Sequence, residues 1–301
     1  MSRAAGARGR FDALSPNLRG AIWVVLAAAL FVFMGTLTKL LADRFESAQM
    51  GFFRVLFGLV AVLPFVARMG PRQLVTGRLW LHLVRGLGGG MAVLCGFYAV
   101  MHLSFADAVA ISYARMLFVI PLAVLFLGET VRVRRWTATA VGLVGVLIML
   151  RPHGEIELAT WVALGGALLV AGVSIMVKKL AETERPETLL FYFGVTSTLV
   201  TLLPALAVWR QPTAAELILL LAIGGSGSAA QYCMIQGYKS GEATAVIPFD
   251  YARLIFAAAV GVVLFAEYPD VWTIVGAVVI VAATLYIALR EARLKGGRVS
   301  P

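Results

Sequence analysis

The stretch ADAVAISYARMLFVIPLAVLFLGE, Ala106 to Glu129, decides the fold because the chain contains a second version of it. Thr244 to Glu267 reads TAVIPFDYARLIFAAAVGVVLFAE, and at a constant offset of 138 residues six of the 24 positions are identical. Tyr113 falls on Tyr251, Ala114 on Ala252, Arg115 on Arg253, Phe118 on Phe256, Val124 on Val262 and Glu129 on Glu267. Apolar matches carry little weight in an apolar run. Tyr, Arg and Glu in one register carry much, and similarity at a fixed offset marks a duplicated chain. Working outward, Trp23 matches Trp161, Gly86 matches Gly224 and Cys95 matches Cys233 at 138, while Leu63-Pro64 matches Leu203-Pro204 at 140. Lys39-Leu40-Leu41-Ala42-Asp43 resembles Lys178-Lys179-Leu180-Ala181-Glu182 at 139.

Composition gives the solvent in which this repeat folds. The chain has 301 residues, 60% hydrophobic and 14% charged, with a mean hydropathy of +0.89. A soluble domain has about 45–50% apolar and about 25% charged residues, so the chain belongs in lipid. About 20 apolar residues cross a bilayer core as a helix, and a helix satisfies every backbone group without water. Ten segments meet that test, near 18–42, 48–67, 79–101, 106–127, 134–150, 158–178, 187–208, 215–238, 243–265 and 270–290. Short connections with breakers such as Met69-Gly70-Pro71, Arg185-Pro186 and Tyr268-Pro269 separate them. The expected fold is therefore an all-α polytopic membrane protein of ten transmembrane helices, with no loop large enough to be a domain.

Each repeat holds five spans. Five is odd, so consecutive copies enter the membrane from opposite sides, giving inverted repeats, a transporter architecture with its site near the midplane. Loops on the side of the N-terminus carry eighteen Lys and Arg against three on the other, Arg44, Arg151 and Arg210. Positive residues accumulate in cytoplasmic loops, which places both termini in the cytoplasm and the protein in the inner (cytoplasmic) membrane. The expected organisation is a cytoplasmic tail 1–17, a first five-helix repeat 18–150, a second 158–290 and a cytoplasmic tail 291–301.

Several function classes are excluded. A net charge of +10 and a pI of about 10.1 suggest nucleic acid in a soluble protein, but here the arginines are dispersed in short loops without a basic patch. Residues 1–17 carry Arg3, Arg8 and Arg10 like a signal peptide, yet the following apolar run is too long for one and reads as the first span. The spacing of Cys95 and Cys233 is the repeat offset rather than a metal or redox spacing, so both read as packed thiols. The chain has no H-E-x-x-H, no G-x-S-x-G, no Walker A and no clustered carboxylates, so neither an enzyme nor a built-in ATP motor is expected, and no cofactor or metal.

The charged residues that enter the membrane carry the functional expectation. Arg115 and Arg253 lie about ten residues, or about 15 Å, into their spans, where an ionisable group is costly and faces a bundle interior or a wet cavity. Pseudo-symmetry puts Tyr113-Ala114-Arg115 and Tyr251-Ala252-Arg253 on opposite walls of one central site, where two guanidiniums hold a carboxylate or phosphate. The alternative is a structural arginine tied to helix-end carbonyls or an acid: Asp250, three residues before Arg253, is placed to neutralise it. Ser112 occupies the equivalent place before Arg115, which lacks such a partner. Arg54, Arg85 and Lys39 are near enough to span ends to snorkel. Glu129 and Glu267 close their spans at opposite faces, as gating residues or as solvated helix-end acids. Gly86-Leu87-Gly88-Gly89-Gly90 and the Gly224–Ala230 cluster read as close helix packing. The polar and aromatic groups after them, Tyr98, His102, Gln231, Tyr232 and Gln236, are expected to face the bundle axis, with Tyr192 a weaker candidate; interhelical hydrogen bonding is the alternative for each.

Ten spans in two halves, Leu127-Gly128-Glu129 ending the fourth, Arg135-Trp136 opening the fifth with its Gly142-x-x-Gly145 motif, and Pro248-Phe249-Asp250-Tyr251 opening the ninth resemble the EamA-type branch of the drug/metabolite transporter superfamily. The resemblance covers residues 18 to 290, with Met116 standing where the family commonly has a proline and Pro121 lying further on. It implies an exporter or exchanger of amino acids and other small metabolites, S-adenosylmethionine among them. Three functions then compete. The first is a secondary transporter, by alternating access, of an amino-acid-like or nucleoside-like metabolite with an anionic group, bound by Arg115, Arg253, Tyr113, Tyr251, Asp250, Tyr98, Gln231, Tyr232 and Gln236. The second is a broad exporter of drugs or cations, which needs an acidic site that only Asp250 offers. The third is a non-transporting integral membrane protein. The expected partners are a small-molecule substrate and membrane lipid, not nucleic acid; monomer and homodimer both stay open.

Overall fold

A computed structural model describes residues 14–70, 74–127, 133–150, 157–181, 183–240 and 247–296. Every regular element among them is helical: α1 (Pro16–Leu40), α2 (Ser47–Met69), α3 (Leu79–His102), α4 (Phe105–Ser112), α5 (Ala114–Leu127), α6 (Val133–Leu150), α7 (Leu158–Ala181), α8 (Pro186–Ala207), α9 (Ala214–Ser240), a 3-10 turn (Ile247–Tyr251), α10 (Ala252–Phe265) and α11 (Val271–Gly296). Among the described residues seven segments are long and apolar enough to cross a membrane, counting α4 and α5 as one. α6, the 3-10 turn with α10, and α11 occupy the remaining three positions of the ten-span pattern.

Local chemistry sets the helix ends. Ser15 caps α1, its Oγ accepting the Leu18 N–H, with Pro16 at the first helical position. Ser104 caps α4 in the same way through the Asp107 N–H at 3.1 Å.

The fourth and ninth spans differ from the uninterrupted helices expected over 106–127 and 243–265. α4 stops at Ser112, Tyr113 forms its C-cap, and Met116 N–H turns back to Tyr113 O at 3.0 Å before α5 continues. In the second repeat the 3-10 turn ends at Tyr251 and α10 starts at Ala252. The breaks fall at repeat-equivalent tyrosines, and the one in the fourth span needs no proline at Met116.

The helices pair as an inverted duplication requires. α1 lies against α9 and, equivalently, α7 against α3; α2 pairs with its own equivalent α8, and α6 with α11. The glycine clusters mediate two further crossings, α3 with α8 and α9 with α2. Ser197 Oγ of α8 donates to the Gly86 carbonyl of α3 at 2.9 Å, and a Cβ on Gly90 would sit 3.3 Å from the Ser197 backbone. A Cβ on Gly224 of α9 would meet the Phe57 backbone of α2 at 3.2 Å. In α6, Gly142 lies under Leu117 and Gly145 under Val279 and the Gly276 carbonyl of α11. Without a hydrophobic drive between helices in lipid, this close approach of small residues provides the contact.

The main core gathers Phe105, Val109, Tyr113, Ala114 and Leu117 of the first repeat with Tyr251, Ala257 and Ile280 of the second. Large apolar residues such as Leu125, Leu203, Ile218 and Val263 stay exposed, as lipid-facing side chains do.

Candidate functional site

The two breaks place their flanking side chains inside the bundle. Tyr113 and Tyr251 are both buried, their rings 5.1 Å apart and tilted by 43°. Tyr113 Oη donates to the Asp250 carbonyl at 2.8 Å, joining the end of α4 to the 3-10 turn. Two residues on, Arg115 and Arg253 line one cavity of about 100 Å³. Its other walls are small residues, among them Ala92, Gly96 and Ala99 of α3, Ser112 of α4 and Gly166 of α7, with three valines, Val100, Val109 and Val170. The cavity thus lies between repeats, with a guanidinium from each.

Asp250 does not do what its spacing suggests. Its Oδ2 lies 3.4 Å from Arg115 Nη2, so the ion pair crosses between repeats instead of closing on Arg253. The i, i+3 spacing keeps Asp250 and Arg253 near each other, but packing against the end of α4 turns the Asp250 carboxylate to Arg115 while its carbonyl takes the Tyr113 hydroxyl. Arg253 instead lies over the Phe31 ring of α1 at 4.9 Å, and its buried Nε has no hydrogen-bond partner among the described residues. Arg115 lies 5.9 Å from the Tyr113 ring centroid. Two guanidiniums and one carboxylate leave one net positive charge at an apolar cavity, an arrangement an anionic group completes.

The remaining predicted site residues do not join this cavity. Gln231 and Tyr232 are exposed on α9, where Gln236 Nε2 donates to Tyr232 Oη at 2.7 Å and Tyr232 meets Trp23 edge-on at 6.4 Å. Tyr232 and Gln236, one helical turn apart, satisfy each other, and none of the three lines the cavity between the arginines. Tyr98 stacks on His102 with centroids 3.9 Å apart and packs behind the cavity wall that Ala99 forms, without lining the cavity itself. Tyr192 donates to the Leu74 carbonyl at 2.9 Å, near the start of α3.

The other charged groups also depart from expectation. Arg85 does not snorkel: it is 7% exposed, donates to the Leu189 carbonyl at 2.9 Å and covers the Phe193 ring at 5.0 Å. Arg54 lies in a cradle formed by Gly58, Gly227 and Ser228. Glu267 is not a solvated helix end; it forms an ion pair with Lys39 and accepts the Phe105 N–H at 2.8 Å. Glu129 lies outside the described residues. Sequence reasoning missed Phe31 and the alanine and glycine walls. Only the helix rotations identify them, because Ala and Gly are common on every face of these spans.

The family model described as the EamA-like transporter family matches residues 18–151 and 158–289, one match per repeat. The chain is 32% identical over 281 residues to the S-adenosylmethionine uptake transporter of Rickettsia prowazekii, covering 93% of this chain and 96% of that protein. It is 33% identical over 278 residues to the riboflavin transporter of Rhizobium johnstonii, covering 91% and 92%. A solved crystal structure with 18% sequence identity superposes with a TM-score of 0.64, covering 91% of this chain and 98% of that one, which speaks to the fold alone.

Proposed function

Because the chain belongs to the EamA-like transporter family, we propose that it is a secondary transporter moving a small organic metabolite with an anionic group by alternating access of its two repeats. Membership and the named relatives make it a multi-pass membrane transporter of a small metabolite, not an enzyme. The finer reading rests on one observation: repeat-equivalent Arg115 and Arg253 line the same cavity, and Asp250 compensates only one of their two charges. Arg253 offers the open guanidinium to a carboxylate or phosphate, Arg115 and Ser112 complete the pocket, and Tyr113 and Tyr251 fix the breaks that aim both arginines. The same charge balance disfavours a cation or drug exporter, since Asp250 is 2% exposed and already engaged by Arg115. The loop-charge asymmetry supports an inner-membrane orientation with both termini, and the tails 1–17 and 291–301, in the cytoplasm.

Purified protein in liposomes, given a labelled panel of S-adenosylmethionine, riboflavin, amino acids and nucleotides, tests the reading. Saturable flux of an anionic or zwitterionic member is expected, lost in Arg253→Ala. Transport restricted to solutes without an anionic group, or undiminished in Arg253→Ala, counts against it.

A further inference from the structure

The short helix α4 stands between the cavity and the membrane face at which α1 ends, here termed the far face. Ala108, Val109 and Ser112 near its end line the cavity. Its first turn is tied to the other repeat. Glu267 accepts the Phe105 N–H at 2.8 Å, and Thr273 Oγ1 donates to Asp107 Oδ1 at 2.7 Å. Lys39, from the last turn of α1, forms an ion pair with Glu267 and donates to the Leu103 carbonyl at 2.8 Å, just ahead of α4. The Phe105 ring is seated against Gly35 of α1, where a Cβ would come within 2.6 Å of it, and meets Phe265 edge-on at 6.5 Å. Ala266 holds a left-handed conformation, φ 54°, which turns Glu267 back over the bundle so that its N–H reaches Gly261 O at 2.9 Å.

Contacts farther from this centre behave differently. At the far face Arg44 pairs with Glu216 at 2.7 Å, and Gln49 exchanges two hydrogen bonds with the Arg210 backbone. At the opposite face the halves are also bridged, Thr76 to Glu184 and Arg78 to the Lys179 carbonyl. Peripheral ties made at both faces at once serve as scaffold. The Lys39–Glu267 group instead acts directly on the helix that walls the cavity.

Resting on the alternating-access reading above, we infer that α4 is the far-face gate of the cavity, held shut by Glu267 acting with Lys39. Loss of the ion pair frees the first turn of α4, withdraws Phe105 from the Gly35 notch and opens the cavity to the far face. In the sequence Lys39 corresponds to Lys178 and Glu267 to Glu129, at offsets of 139 and 138. A ligand-driven change of state needs such an element, whose two arrangements differ in contacts.

The test uses the full chain with Cys95→Ala and Cys233→Ala, and Ser112→Cys as a reporter in the cavity, in vesicles of fixed sidedness. An impermeant maleimide is applied from the far face, and solute flux is followed in parallel. Relative to the reporter chain, Glu267→Gln is expected to raise the labelling rate about tenfold, the scale of a coupling near 1.4 kcal/mol. Glu267→Ala, which removes the acceptor of the Phe105 N–H as well as the charge, should raise it at least as much. Thr273→Val, which removes a neighbouring bond but no charge, should raise it by a smaller factor and keeps the test open should Glu267→Gln fold poorly. Unchanged labelling in both Glu267→Gln and Thr273→Val, or Glu267→Ala less open than Glu267→Gln, overturns the gate. Absence of flux in the wild-type protein would overturn the transport reading instead, whatever the labelling shows.

Discussion

At the scale of single residues the two arginines are chemically alike and electrostatically different. Arg115 has Asp250 and Arg253 has an aromatic face, so the anion-binding burden falls more on Arg253. Arg253→Ala is expected to abolish substrate-induced thermal stabilisation, whereas Arg253→Lys should retain part of it, since an ammonium keeps the charge but loses the planar fork. Asp250→Asn frees Arg115; apparent affinity for an anionic substrate should rise severalfold, read from competition assays, if no new bond compensates. Tyr113→Phe tests the architecture rather than the ligand. It leaves the buried Asp250 carbonyl without its 2.8 Å donor and should cost about 1–2 kcal/mol, seen as a lower unfolding midpoint in detergent.

At the scale of elements, span breaks and helix crossings decide what each side chain can reach. The repeat is legible to the residue, yet the i, i+3 spacing pointed Asp250 to Arg253, whereas its ion pair goes to Arg115 of the other repeat, a contact between spans that no local spacing encodes. Likewise Gln231, Tyr232 and Gln236 share a span with glycines that pack on α2, and their polarity alone did not say which way the helix turns them. Two substitutions check the crossings. Gly90→Leu on α3 should destabilise strongly, with loss of folded protein by size-exclusion, because the Ser197 backbone stands only 3.3 Å from where the new Cβ would lie. Gly172→Leu should be nearly silent in the same assay, nothing lying within 4 Å of its Cβ position. Ala266→Gly relieves the left-handed backbone and should stabilise by up to about 1 kcal/mol, measured as a raised unfolding midpoint.

For the whole molecule, inversion gives both faces equivalent parts, and orientation rests on loop charge. In a cysteine-free background, Arg210→Cys is expected to react with an impermeant thiol reagent added outside intact cells, and Arg78→Cys only after permeabilisation; both positions are exposed. The sequence by itself determined the membrane class, the ten spans, the duplication and its inversion, and it singled out Arg115 and Arg253. These follow from hydropathy, parity and the rarity of charge in apolar runs, all of which are local or countable. Tertiary structure alone decided that the two arginines share one cavity, that Asp250 serves the arginine of the other repeat, and that Glu267 grips α4 rather than facing water. Those outcomes depend on the rotation of each helix about its axis, which close packing of small residues and the breaks at Tyr113 and Tyr251 fix together.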